Sequence, residues 1–169
     1  NARESVIYSS NNEMQIIKNT QTPLEKKILD CNPILEGFGN AKTVRNDNSS
    51  RFGKYVKIKI NKETNFIEGA QMFTYLLEKS RITELGCLER NYHIFYFFLK
   101  GAEDSLLKEL YLTKDIKNYD YLWHDKTKSQ VTEVPSIDDV ACYQEVIDCF
   151  KSTNFTDEEI RVIFRVIES

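Results

Sequence analysis

The sequence predicts an α/β chain, mostly helical, with two or three β-strands. Three observations lead there. Residues 55–61, YVKIKIN, alternate: Val56, Ile58 and Ile60 fall on one face and Lys57 and Lys59 on the other, the period of a half-buried strand. Leu24, Ile28 and Leu35 on one side of that strand, and Ile160, Ile163, Phe164 and Ile167 far beyond it, recur at helical spacing. Between them, Leu88, Tyr92, Phe95 and Leu99 mark one helical face while Ile94, Phe97 and Phe98 make the other sides apolar too. A helix greasy all round is a buried one.

Taken in order, residues 1–8 read as a helix and the polar stretch 9–22 as a surface loop. Thr22-Pro23-Leu24-Glu25 is a capping box with proline at the first helical position. Pro33 is expected to bend or interrupt the helix that follows, and the glycines of GFGNAKT (37–43) to end it. Residues 61–65 form a turn. Residues 66–80 supply one or two further strands, with Gly69 as a break. His93 is expected to be a buried, hydrogen-bonded histidine of the apolar helix. YDYLWHD (119–125) reads as an aromatic loop with Trp123 packed beneath it. Ser136 and Asp139 mark the start of a helix over 137–151. Thr156 and Glu159 make a second capping box, with Phe155 and Ile160 placed for a hydrophobic staple.

With 169 residues, 41% hydrophobic, the chain suits one domain with a real core. A net charge of -3 argues against a general nucleic-acid binder. The charge is uneven: residues 1–100 carry net +4 and residues 101–169 net -7. Within 42–62, Lys42, Arg45, Arg51, Lys54, Lys57, Lys59 and Lys62 face only Asp47. Such a patch in an acidic chain suits a local anionic ligand; it equally suits a lysine-rich solvent face on an edge strand. Cys31, Cys87, Cys142 and Cys149 form no CxxC pair, and neither His93 nor His124 stands at metal-ligand spacing from them. They read as reduced, mostly packed thiols of a cytoplasmic protein. No secretory leader pattern opens the sequence, and no run of about 18 apolar residues spans a membrane.

The densest chemistry lies in TVRNDNSSRFGK, residues 43–54. Mg²⁺ on a nucleoside triphosphate keeps several waters and takes only a few protein oxygens, and a serine hydroxyl can be one. A second serine, on the opposite side of an extended segment, can meet a terminal phosphate or an attacking water. An asparagine amide donates to phosphate without adding charge. An arginine pairs with a carboxylate and locks a loop. Asn, Asp and Ser also build ordinary turns, so composition leaves both readings open.

The stretch NPILEGFGNAKTVRNDNSSRFGKYVKIKI (32–60) resembles the switch-I region of myosin motor domains, flanks included. TYLLEKSRI (74–82), ERNYHIFYFFLKGA (89–102) and FTDEEIRVIFRVIES (155–169) resemble the family's next blocks in the same order. The resemblance covers essentially the whole chain. It implies a partial P-loop NTPase-type motor fold: a surface loop at 9–22, switch I at 43–54, strands of the central sheet and transducer within 55–80, and a mainly helical upper subdomain over 86–169. It implies that Asn46 hydrogen-bonds the phosphates, that Ser49 meets the γ-phosphate and the lytic water, and that Ser50 coordinates Mg²⁺. Arg51 would pair with a switch-II glutamate, and Lys54 and Arg45 would set the local potential. The cofactors implied are ATP and Mg²⁺, the partner is the actin filament, and the location is cytoskeletal.

The family's G-x-x-x-x-G-K-[ST] phosphate loop and its switch-II block are not in this sequence. The expectation is therefore an excised part of an actin-activated ATPase, catalytically inert alone, with Arg51 unpaired and its loop loose. Exposed apolar surface on the 92–99 helix would favour a homodimer. The alternative is an α-rich interaction module of myosin ancestry that performs no chemistry.

Overall fold

The computed structural model describes residues 23–83, 85–120, 122–123 and 131–168. The helix expected over 1–8, the loop over 9–22, the cap at Thr22 and His124 lie outside them. Helix α1 (Pro23–Gly39) leads into a two-residue strand, β1 (Asn40–Ala41), which pairs antiparallel with β2 (Ser49–Ser50). A second antiparallel pair follows, β3 (Gly53–Ile60) with β4 (Ile67–Tyr75). The rest is helical: α2 (Ser80–Thr83), α3 (His93–Gly101), α4 (Asp104–Glu109), a 3-10 turn at Ile116–Asn118, α5 (Asp139–Ser152) and α6 (Asp157–Glu168).

The core is built around α3. Ile94, Tyr96, Phe98 and Leu99 are buried against Val146 and Phe150 of α5 and Ile160 and Phe164 of α6. The Phe98 and Phe164 rings stack with centroids 4.4 Å apart. Leu88 stands outside the helix, at positive φ and half exposed, so the apolar pattern overshoots the helix start by five residues. Gly101 closes α3 where a β-carbon would sit 2.4 Å from Cβ of Tyr143, so α5 crosses against bare backbone. Helix α3 is covered by this chain's own helices.

Helix α1 runs through Pro33 without interruption and past Gly37 to Gly39. Proline inside a helix costs roughly 3 kcal/mol in lost hydrogen bonding and ring clash. Here Ile34 and Phe38 pack against the core, and the Phe38 ring meets Phe150 edge-on at 6.4 Å, which offsets that cost. Helix α5 is capped two residues beyond the expected Ser136: the Asp138 carboxylate accepts from the N–H groups of Val140 and Ala141. Ser136 is engaged elsewhere. The capping box of α6 forms as read, the Thr156 N–H donating to Glu159 Oε2 at 2.8 Å and the Glu159 N–H to Thr156 Oγ1 at 3.3 Å. Phe155, placed for a staple, turns its ring to Phe150 at 5.1 Å.

The hairpin departs most from the sequence pattern. Residues 66–80 give one strand, and Gly69 lies inside it opposite Lys59, beside the register shift at Lys59/Ile60. Its turn is as the residues dictate: Asn61 Oδ1 accepts from the N–H groups of Glu63 and Thr64, and Asn65 takes φ 57°. Yet Ile58 and Ile60 are exposed, as are Tyr55, Phe73 and Tyr75. The alternation is real, but the cover is partial: Val56 and Met72 are half-buried, α1 lies against β4, and the paired Tyr55 and Phe73 stand exposed on the face opposite Ile58. Trp123 is partly buried, with Lys117 Nζ 5.4 Å above its indole ring. The four cysteines are free. Burial pushes the Cys31, Cys142 and Cys149 thiols up, whereas Cys87 is exposed, against the packed-thiol expectation.

His93 is buried as expected, 2% exposed, but neither ring nitrogen has a hydrogen-bond partner. It stacks on Phe97 instead, with centroids 5.6 Å apart. Burial first, then the nearby Arg90 charge, lowers its pKa to about 4. The folded chain thus holds a neutral imidazole that the unfolded chain protonates near its ordinary value. Its stabilising contribution is complete above the unfolded pKa and is lost as pH falls toward the folded one. We expect urea unfolding to show a loss of about 2 kcal/mol between pH 7 and pH 5. His93→Leu should flatten that part of the profile; an unchanged slope would contradict the buried neutral ring.

Candidate functional site

The 43–54 loop is assembled from its own side chains first. The Thr43 N–H donates to the Asn46 carbonyl at 2.9 Å, and the Thr43 hydroxyl donates to the same oxygen at 3.1 Å. Asn46 Oδ1 accepts from the Asn48 N–H at 2.9 Å, an Asx turn. Asn48 Oδ1 accepts from Asn40 Nδ2 at 2.9 Å, fixing the tip against β1. Asp47 bonds Lys42 Nζ at 3.1 Å and accepts from the Ser136 hydroxyl at 2.6 Å. Those two partners, Ser136 first, hold the Asp47 carboxyl below the usual range. Ser136 thus ties this loop to the α5 approach instead of capping α5.

After Asn48 the chain extends into β2, where successive side chains point to opposite faces. Ser49 is partly buried and Ser50 exposed. The Ser50 hydroxyl donates to the Phe52 carbonyl at 2.9 Å, so its oxygen lone pairs remain available. The Arg51 N–H donates to the Gly39 carbonyl at 2.8 Å. Phe52 then lies on bare backbone: a β-carbon at Gly39 would fall 2.3 Å from its ring. Gly39 therefore sets how closely the loop's exit docks on the end of α1.

Arg51 is not unpaired. Its Nε donates to Glu78 Oε2 at 2.7 Å and its Nη1 to Ser49 Oγ at 3.1 Å. This corrects the expectation of an unpaired arginine in a loose loop. The cause is that the chain beyond β4 runs on antiparallel to the segment before β3: the Glu78 N–H donates to the Arg51 carbonyl at 3.0 Å, which brings a carboxylate of this same chain alongside. Glu78 Oε2 also accepts from Arg81 Nε at 2.8 Å, and Arg81 Nη1 reaches Glu89 Oε2 at 3.0 Å. Glu89 Oε1 in turn accepts from the Val44 N–H at 3.3 Å. One ladder, Glu78–Arg81–Glu89, therefore grips both ends of the loop. Burial pushes the Glu78 carboxyl up, but the hydrogen bond and charge of Arg81, then of Arg51, outweigh it and leave it below the usual carboxylate range.

Of the residues named from sequence, Ser49, Ser50 and Arg51 come together on and beside one short strand. Asn46 lies in the exposed turn before them, its side-chain oxygen taken by the Asn48 N–H. Arg45 is exposed beside it. Lys54 is turned away, Nζ donating to Asn32 Oδ1 of α1 at 2.7 Å. Lys59 pairs with Glu68 at 2.8 Å, so the cationic run is divided between loop and hairpin. Glu78, Arg81 and Glu89 were missed. The signal was present: Glu78 and Arg81 are three apart just after the apolar run Tyr75-Leu76-Leu77, and Glu89-Arg90 directly precede the greasy helix.

A family model described as Myosin head (motor domain) matches residues 3–169. The class is thus a motor domain, and the chain belongs to the myosin head family. It is 49% identical over 144 residues to Myosin-1 of Saccharomyces cerevisiae, covering 85% of this chain and 7% of that protein. It is 42% identical over 146 residues to Unconventional myosin-Ic-A of Xenopus laevis, covering 86% of this chain and 14% of that protein. It is 46% identical over 144 residues to Myosin-A of Plasmodium yoelii yoelii, covering 85% of this chain and 17% of that protein. The chain therefore spans only a small part of the length of these relatives.

Removing the middle rung should loosen both ends of the loop at once. Arg81 is buried, and Arg81→Met would leave two carboxylates without their shared cation. The expected loss is about 2–3 kcal/mol in urea unfolding. Amide exchange should rise together at Val44 and Glu78; a rise at only one of them would show that the ladder does not act as a unit.

Proposed function

We propose that this chain is the switch-I-bearing part of an actin-based, ATP-driven motor of the P-loop NTPase type. The observation that carries this reading is the arrangement at β2: Ser49 and Ser50 on opposite faces, with Arg51 hydrogen-bonded to Ser49. Ser49 accepts from Arg51 and so has its hydroxyl proton to give to a γ-phosphate oxygen or to the attacking water. The Asn46 amide donates to the phosphates. Lys42 and Arg45 add positive potential, though Lys42 shares its charge with Asp47.

The donor set fits Mg²⁺ only in company with phosphate. Among the described residues no group of three His, Cys, Asp or Glu side chains could hold a metal. Ser50 offers one hard oxygen, which suits an ion whose other ligands are phosphate oxygens and water. When bound, the ion neutralises charge on the phosphates. Phosphoryl transfer is a matter of positioning by several loops together. One switch loop with no phosphate-cradling lysine is expected to bind nucleotide weakly and to hydrolyse none. No helix among the described residues is long and apolar enough to cross a membrane. The location proposed is cytoplasmic, on actin.

The test is a titration with fluorescent ATP in Mg²⁺. The chain is compared with a version joined upstream to a myosin phosphate-loop segment of about 30 residues. Tight binding by the extended version alone supports a working switch. Mg²⁺-dependent turnover by the 169-residue chain itself would overturn the claim that it is inert. Two folded proteins that both fail to bind would favour the interaction module.

A further inference from the structure

Glu78 is held unusually firmly for a residue in a strand-to-helix connection. Its N–H donates to Arg51 O at 3.0 Å, its carbonyl accepts from the Tyr92 hydroxyl at 2.7 Å, and its carboxylate takes Arg51 and Arg81. Tyr92 is itself 3% exposed at the start of α3. Glu78 is therefore a carboxylate fixed from three directions, and fixed to the rigid core.

A guanidinium has a planar fork of five N–H donors. Glu78 takes the Nε–H and Ser49 takes one Nη1–H. With Nε held by Glu78 and Nη1 by Ser49, the plane of the fork is fixed at two points, and the Nη1 donor is aimed at Ser49. A serine hydroxyl that accepts a charge-assisted hydrogen bond has its own proton directed elsewhere. We infer that Glu78 is a positioning residue that acts through Arg51 to set the polarity of the Ser49 hydroxyl, making Ser49 a donor toward the phosphate side of the loop. This rests on the switch reading for its purpose, but the geometry stands without nucleotide.

The experiment uses the chain alone, with no nucleotide in any arm, so its failure is separate from failure of the motor reading. In a ¹⁵N-labelled sample the Arg51 Nε–H resonance is identified by its loss in Arg51→Lys. It is expected to exchange with water at least about tenfold more slowly than the exposed arginine side chains. Fast exchange in the unmodified chain overturns the proposal without any variant. Glu78→Gln keeps the shape, removes the charge, and should abolish this protection; Glu78→Asp should restore part of it. The decisive reading is Ser49, which Glu78 does not touch. Its side-chain resonances should move in Glu78→Gln in the same direction as in Arg51→Lys, while α5 and α6 signals stay in place. If Arg51 responds and Ser49 does not, Glu78 merely secures the arginine and the inference fails.

Discussion

Arg90 has no exposed surface, and its guanidinium is only partly satisfied: among the described residues Nε and Nη1 have no hydrogen-bond partner, so the charge rests on one ion pair and one aromatic face. Nη2 donates to Asp139 Oδ1 at 2.7 Å, and the guanidinium carbon lies 3.8 Å above the Tyr96 ring. Asp139 is the first residue of α5 and also bonds Lys100 of α3 at 3.0 Å. One buried charge pair thus joins the two central helices. Breaking such a pair by removing one partner costs on the order of 3–5 kcal/mol, because the other charge stays buried. The Arg90 main chain serves the site at the same time: its N–H donates to Lys42 O at 3.1 Å and its carbonyl accepts from Arg81 Nη1 at 3.1 Å. The ladder that grips the 43–54 loop is therefore anchored to the pair that holds the helices together.

This explains why a loop so rich in turn formers has a defined shape. Its internal bonds, Thr43 to Asn46 and Asn46 to Asn48, are local and exposed, worth about 1 kcal/mol each. They do not by themselves place Ser49 and Ser50. The placement comes from outside: Gly39 beneath Phe52, Glu78 on Arg51, Glu89 on Val44 and Ser136 on Asp47. Each of these lies at least ten residues away in sequence from its partner in the loop. The local pattern supplies the chemistry, and distant residues supply the geometry.

What was legible in the sequence follows the same division. The capping box at Thr156, the turn at Asn61 and the buried helix around Phe98 are local or periodic, and they are found where the residues put them. Pro33 was misread because a local rule was applied to a helix whose stability comes from packing on α5. Ser136 was misread as a cap because sequence cannot show that Asp47, far along the chain, claims its hydroxyl. His93 was expected to find a partner by the general rule for buried polar groups, and it stacks on Phe97 instead. Glu78 was missed as a site residue although the Glu78/Arg81 spacing was visible, because nothing local shows that it lies beside Arg51. Of the candidate site, Ser49, Ser50 and Arg51 were named through the family resemblance; the carboxylate that Arg51 bonds was not.

The exposed apolar side chains of the β3–β4 hairpin have a thermodynamic consequence. The heat capacity of unfolding scales with the apolar surface newly exposed to water, roughly 12–15 cal/mol/K per residue for an ordinary domain. Ile58, Ile60, Tyr55, Phe73 and Tyr75 already meet solvent in the folded chain, and Leu76 beyond them is 83% exposed. They contribute less to that term than fully buried side chains of the same size. The stability curve of this chain is therefore flatter in temperature than its length alone implies, and its curvature is set mainly by the helices around α3.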